Sequence, residues 1–132
     1  MILLDTQILV WIRTGDGRIG KRARRRIDKA LQDGDLAVSA ISFWEIAMLQ
    51  EKARLEIRLD VASWRRSLLR DGLVEIPVDG ATGIRATRLR GFHSDPADRL
   101  IVATALAGHR LVTADRRILK WPGRLDRIDA AE

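Results

Sequence analysis

Cysteine is absent from this chain, and histidine occurs only at His93 and His109. Disulfides are therefore excluded, and a structural zinc site is left without its usual Cys and His donors. No apolar run approaches the length of a membrane span. The opening residues Met1-Ile-Leu-Leu-Asp5 are too few for the apolar core of a signal peptide, and they enter structure at once. Repeats, low-complexity tracts and linkers are missing as well. These absences leave the profile of a soluble cytoplasmic protein without a membrane partner.

What is present suits a single compact domain over 1–132: of 132 residues, 46% are apolar, enough for a core, and 32% are charged, enough for a solvated surface. Lys and Arg number 24 against 18 Asp and Glu, a net charge of +6. Arg dominates the cations, and its planar fork suits phosphates. The surplus reads either as provision for a polyanionic partner or as the Arg usage of a GC-rich genome on a solvated surface.

The stretch His93-Ser-Asp-Pro-Ala-Asp-Arg-Leu-Ile-Val-Ala-Thr-Ala105 organises the rest. Pro96 suits the first position of a helix, where its missing N–H has no partner to lose. Asp95 is then the N-cap and Asp98 the third helical residue, at the head of a small and apolar helix that must be buried and that ends near Gly108. Short apolar runs at 2–4, 36–39, 73–77 and 111–113 predict buried strands, with a weak fifth at 125–128. Between them, helical spacing predicts a helix capped by Thr6 and carrying Ile8, Leu9, Trp11 and Ile12. A basic helix follows over 18–33, with Ile19, Ala23, Ile27, Ala30 and Leu31 as its inner stripe. A third helix is expected from a capping box with Ser42 at N-cap and Glu45 at N3, continuing through Ile46, Leu49 and Ala53. A connection with Leu55, Ile57 and Leu59 leads to a short helix with Val61, Trp64 and Leu68. Another helix spans 79–89, and one helical turn spans 116–119. Alternating strands and helices predict an α/β fold, a mainly parallel sheet of four to five strands with helices on both faces.

Ligands of such sheets bind beyond the carboxyl ends of the strands. Asp5, Glu45, Asp98 and Asp115 all fall at that edge. Each taken alone is explained as a turn or capping group, which the helix dipole favours. Four together would repel unless neutralised, and a divalent cation does that. Oxygen donors without Cys suit Mg²⁺ or Mn²⁺.

Asp5-Thr6-Gln7 after an apolar strand, Ser42-Phe-Trp-Glu45-Ile-Ala, Asp95-Pro-Ala-Asp98-Arg-Leu-Ile-Val-Ala-Thr-Ala105 and Leu111-Val-Thr-Ala-Asp115 resemble the four signature blocks of PIN domains. Within these, the resemblance is to the VapC-type toxins of bacterial toxin–antitoxin pairs. It covers nearly the whole chain, in order. It implies a PIN-like three-layer sandwich and a metal-dependent endoribonuclease that hydrolyses RNA by metal-activated water, leaving 3′-hydroxyl and 5′-phosphate ends. Asp5 and Asp98 would hold the principal ion, Glu45 would ligate it directly or through water, and Asp115 would complete the site. Asp95 matches the extra Asp of one subgroup, with capping and supporting duty. Gln7 departs from that subgroup, which often has His there. The resemblance also implies an RNA substrate, a cognate antitoxin lying over the acids, a homodimer, and contact with promoter DNA only through the antitoxin.

Smaller expectations attach to other residues. Arg99 is read as an ion-pair partner of Asp98 or a phosphate contact, and Thr6 and Thr113 as hydrogen-bond donors to the acids or as caps. The Arg22–Arg26 run reads first as a solvated helix face and second as a track for an RNA backbone. Trp11, Trp44, Trp64 and Trp121 read as core or interface anchors. Trp44 and Met48, one turn apart, could floor a groove for a partner segment. His93 and His109 read as structural or surface residues without a catalytic role. Rival readings are a phosphotransfer domain with Asp5 as acceptor, a housekeeping RNA-processing nuclease, and a non-catalytic binding module. Gln7 stands where a haloacid-dehalogenase-like site needs a second Asp. No Lys follows Asp115 before Lys120, where a receiver needs one nearby.

Overall fold

The computed structural model describes residues 1–52 and 60–132. Among the described residues twelve elements follow one another: β1 (Ile2–Leu4), α1 (Thr6–Thr14), α2 (Lys21–Gln32), β2 (Leu36–Ser39), α3 (Ala40–Glu51), α4 (Val61–Arg70), β3 (Val74–Ile76), α5 (Gly80–Thr87), α6 (Pro96–Ala105), β4 (Arg110–Thr113), α7 (Arg116–Lys120) and β5 (Arg127–Asp129). The expected connection at Leu55, Ile57 and Leu59, and Ala53 at the end of the third helix, lie outside the described residues. No helix among the described residues is long and apolar enough to cross a membrane.

The five strands form one sheet in the order β3-β2-β1-β4-β5, and every pairing is parallel. Side chains alternate across a strand, so neighbours in β1 serve opposite layers. Leu4 is in register with Val38 and Val112, and these three enter a core with Ile8 and Leu9 of α1, Ala23 and Ile27 of α2, and Ile46 of α3. Leu3 is in register with Ala37 and Leu111, and these enter a second core with Ile101, Val102 and Ala105 of α6, Ile118 and Trp121. Helices thus cover both faces, the three-layer arrangement expected of the sequence. The α6 body is buried from Ile101 to Ala105, which explains its run of small and apolar residues.

The chain leaves β1 for β2 and β3 on one side and later returns to β4 and β5 on the other. The crevice at the carboxyl ends of β1 and β4 is therefore the topological switch point, the natural ligand position of such a sheet.

Several boundaries differ from expectation. α1 is capped by Asp5, whose side chain accepts the Thr6 N–H, so Thr6 is the first helical residue and not the cap. α3 begins at Ala40 with Ser39 as N-cap, its hydroxyl accepting the Ile41 N–H, so Ser42 and Glu45 form no capping box. β2 runs into α3 without a loop, and the last strand residue is itself the cap. α2 starts at Lys21, not residue 18, after the turn that Asp16 closes by accepting the Arg18 N–H. The fifth strand lies at Arg127–Asp129, a little beyond its expected place.

Candidate functional site

Asp5 sits where β1 ends. Its backbone N–H still donates to the Val112 carbonyl at 3.0 Å, so the sheet fixes the residue before its side chain does anything. The carboxylate is buried and doubly bound: Oδ1 accepts the Thr6 N–H at 2.8 Å, and Oδ2 accepts the Thr113 hydroxyl at 2.7 Å. Thr113 ends the neighbouring strand, and its hydroxyl also accepts the Asp115 N–H at 3.0 Å. One side chain therefore couples the first acid to the last. On the other side, the Thr6 and Ser42 hydroxyls pair at 2.8 Å, joining α1 to α3 one turn before Glu45. Thr113 thus donates its hydroxyl to an acid, whereas Thr6 gives Asp5 its backbone N–H and pairs its hydroxyl with Ser42. Ser42, expected as a cap, is instead a buried strut.

Asp98 comes in from the opposite layer, on the first turn of α6. Its N–H donates to Asp95 Oδ1 at 3.1 Å, the N-cap geometry read from Pro96. Asp98 belongs to two donor groups at once. Carboxylate oxygens of Glu45, Asp95 and Asp98 lie within 4.8 Å of one another, and donor atoms of His93, Asp98 and Asp115 do the same. Asp5 lies beside these groups and outside both. Asp115 caps α7 by accepting the Arg117 N–H at 2.8 Å.

Two neighbours of the acids escaped the sequence reading. His93 Nδ1 accepts the Asp95 N–H at 3.4 Å, which leaves the ring proton on Nε2. Nε2 faces Asp98 Oδ2 at 3.3 Å without alignment for a hydrogen bond. The signal was a histidine inside the organising stretch, two residues before the cap. Arg117, two residues after Asp115, places its guanidinium 3.3 Å from Asp115 Oδ2 and 3.7 Å from Asp98 Oδ2 while staying mostly exposed.

Arg99 is a correction. Its guanidinium turns away from Asp98 and donates to the carbonyls of Ala86, Leu89, Phe92 and His93 at 2.9 to 3.1 Å. It staples the end of α5 and the following loop to α6, and makes neither an ion pair with Asp98 nor a free phosphate contact. Among the tryptophans, Trp11 and Trp121 are buried, whereas Trp44 is 54% exposed beside Glu45.

Burial first, then the charges of Asp5, Asp95, Asp115 and Glu45, push the Asp98 carboxyl up to about 7. Burial also raises Asp5, against the pull of its Thr113 and Thr6 hydrogen bonds. Glu45 is raised by burial as well, although the Thr6 hydroxyl draws it back. Asp115 goes the other way: burial pushes it up, but the Arg117 hydrogen bonds and charge, with His93, hold it below its ordinary value. The cluster therefore stores repulsion that a cation would relieve. Glu45 Oε1 is moreover buried without a hydrogen-bond partner, a cost unless something positive faces it. The carboxylate oxygens of Glu45, Asp95, Asp98 and Asp115 are a donor set for a hard divalent ion. The residues fit such an ion. A cavity of about 440 Å³ elsewhere is lined by Met1, Asp35, His109, Arg110 and Arg124 at the opposite edge of the sheet.

Comparison with known proteins gives the family and the fold. Residues 2–123 match the family model described as PIN domain. Over 119 residues the chain is 37% identical to "Ribonuclease VapC22" of Mycobacterium tuberculosis, covering 89% of this chain and 88% of that protein. Among solved structures it is similar to a DNA-bound VapBC from Salmonella typhimurium, with a TM-score of 0.69 at 18% identity over 98% of this chain and 97% of that one. It is likewise similar to VapBC2 from Rickettsia felis bound to a promoter DNA fragment, with a TM-score of 0.67 at 19% identity over 97% and 98% of the two chains.

Proposed function

The chain belongs to the PIN-domain family, and from that premise we propose that it is an Mg²⁺- or Mn²⁺-dependent endoribonuclease, the toxin of a toxin–antitoxin pair. The observation that carries the reading is Asp98: it is shared by two donor groups, raised to about 7, and set beside the unpartnered Glu45 Oε1. The name of the Mycobacterium tuberculosis relative, a VapC ribonuclease, supports the activity. The VapBC likeness supports the fold on which it rests.

In this reading Glu45, Asp98 and Asp115 hold the ion with Asp5, whose orientation is locked by Thr6 and Thr113. A divalent ion held there would supply charge neutralisation at the phosphate oxygens and the departing alkoxide and would lower the pKa of a water. Asp95 keeps the Asp98 backbone at the head of α6. Arg117, tethered by Asp115, stands at the rim where a phosphate would enter. Hydrolysis forms a bond from a water oxygen to phosphorus and breaks the bond from phosphorus to O3′, which takes up a proton in exchange for the one water gives up, leaving 3′-hydroxyl and 5′-phosphate ends. Ends mapped as 2′,3′-cyclic phosphate would rule this course out.

The exposed Trp44 ring, with Met48 one turn along α3, supplies an apolar floor beside the acids for a segment of the antitoxin. A cytoplasmic homodimer, reaching promoter DNA only through its antitoxin, completes the proposal.

The deciding experiment is RNA cleavage by the purified chain with Mg²⁺ or Mn²⁺ against EDTA, with Asp98→Asn alongside. Metal-dependent cleavage lost in the variant is expected. Well-folded protein that cleaves no RNA under any metal would leave a binding module. Growth arrest on expression, relieved by the neighbouring gene's product, separates a toxin from a housekeeping nuclease.

A further inference from the structure

The outer face of α2 takes no part in the acid cluster, yet it holds most of the excess charge. Lys21, Arg22, Arg24, Arg25, Arg26 and Lys29 stand against a single acid, Asp28, a surplus of five in a chain whose net charge is +6. Lys29 pairs with Asp33 at 3.1 Å. The other five cations form no ion pair among the described residues.

Opposite charges one turn apart, as Arg24 and Asp28 are, support a helix, and like charges at that spacing oppose it. Here Lys21 and Arg25, Arg22 and Arg26, and Arg25 and Lys29 are like-charged pairs four residues apart, each destabilising. Lys21 and Arg22 also open the helix, where the dipole disfavours cations; the first turn holds no acid, and the Gly20 cap provides no side-chain bond. The helix is held down by Ala23, Ile27 and Ala30 in the core despite these repulsions. A polyanion along the outer face would relieve all of them together.

Backbone hydrogen bonds tie the start of this face to the acid edge. The Gly20 N–H donates to the Ala130 carbonyl at 2.8 Å, and the Arg22 N–H to the Glu132 carbonyl at 3.0 Å. The Ala130 N–H in turn donates to the Thr113 carbonyl at 2.9 Å. Thr113 is the residue whose hydroxyl holds Asp5. The α2 N-terminus is therefore anchored to the same strand ends that position the acids, and its cations run away from that edge.

We propose that the outer face of α2 is the track for the phosphate backbone of the RNA strand entering the site, with Lys21, Arg22 and Arg25 as its exposed contacts. This rests on the ribonuclease reading above. A strand with one phosphodiester at the acids must lay neighbouring phosphates on the adjoining surface, and the α2 face offers a row of cations there that form no ion pair among the described residues.

The test is fluorescence anisotropy of a labelled, unstructured oligoribonucleotide in EDTA across a KCl series. Lys21→Gln, Arg22→Gln and Arg25→Gln are combined in one variant. A control carries Arg13→Gln, Arg70→Gln and Arg124→Gln, exposed arginines elsewhere on the surface with the same loss of charge. Each phosphate contact contributes about 0.7 to the salt slope of single-stranded binding. The α2 variant is expected to lose about 2 from that slope and to bind about tenfold or more weakly at low salt, while the control stays close to wild type. An unchanged slope in a variant of wild-type helicity, with wild-type protein still cleaving RNA, overturns this inference and leaves the ribonuclease reading standing. An equal fall in the control, or a larger fall with duplex DNA than with RNA, also overturns it. Wild-type protein that neither binds nor cleaves RNA defeats the ribonuclease reading itself.

Discussion

Asp98 carries a proton in the folded, metal-free protein at pH values where the unfolded chain has lost it. Its carboxyl is raised from 3.8 to about 7, chiefly by burial. Below pH 4 both states hold the proton and the residue contributes nothing to pH dependence. Between about 4 and 7 the folded state binds more protons than the unfolded one, so stability falls as pH rises through that window. Above 7 the full penalty persists. Asp98→Asn, which cannot ionise, is therefore expected to melt a few degrees above wild type at pH 8 in EDTA, with the two converging near pH 4. A variant that melts below wild type at pH 8 would contradict the stored repulsion. At this scale Asp5, Asp98 and Asp115 were legible because each ends a strand or opens a helix, positions that sequence pattern marks, whereas Glu45 lies inside α3 and not at the helix start expected for it. Ser42, His93 and Arg117 were not. Their roles depend on contacts between Thr6 and Ser42 and between His93 and Asp98, made by residues from different elements.

The loop between α5 and α6 is shaped by one side chain. Arg99 binds four carbonyls, from Ala86 to His93, and so sets where the His93 ring stands relative to Asp98. Lysine offers a point charge on a flexible stem and cannot span four acceptors. Arg99→Lys is expected to cost roughly 2–4 kcal/mol, given ~1.5–3 kcal/mol for a hydrogen bond to a charged group and several bonds lost together. Amide exchange in 88–95 should rise with it. Unaltered exchange there would mean that the loop is held by something other than the staple. The sequence marked Arg99 by its place next to Asp98, and neighbours in sequence on a helix point about 100° apart. That offset is why the residue serves the loop and not the acid. The third helix shows a similar limit: hydroxyls at Ser39 and Ser42 both precede an apolar run, and only the end of β2 decides which one caps.

Across the whole molecule, a bound ion should couple the acid edge to global stability. A ligand at a hundred times its dissociation constant stabilises by ~2.7 kcal/mol, several degrees for a chain of 132 residues. Mn²⁺ is expected to raise the melting temperature of wild type by that order and to leave Asp98→Asn nearly unmoved. Equal shifts in both would place the ion elsewhere. The α/β class was legible because four of the five strands are short apolar runs set between amphipathic helices. The order β3-β2-β1-β4-β5 was not, since nothing in a three-residue strand such as Ile2–Leu4 names its neighbours.

That order has a consequence for how the protein comes into being. Synthesis delivers β1 first, yet β1 occupies the middle of the sheet, between β2 and β4. Pairings so distant along the chain are slow to close, and one flank of β1 has no partner until the ribosome has translated past Thr113. The first acid of the cluster is thus the earliest made, and the hydroxyl that locks it lies 108 residues further along the chain. A nascent chain bearing Asp5, Glu45 and Asp98 still lacks the hydroxyl that locks Asp5, so the finished edge exists only once Thr113 has been made and has joined the sheet.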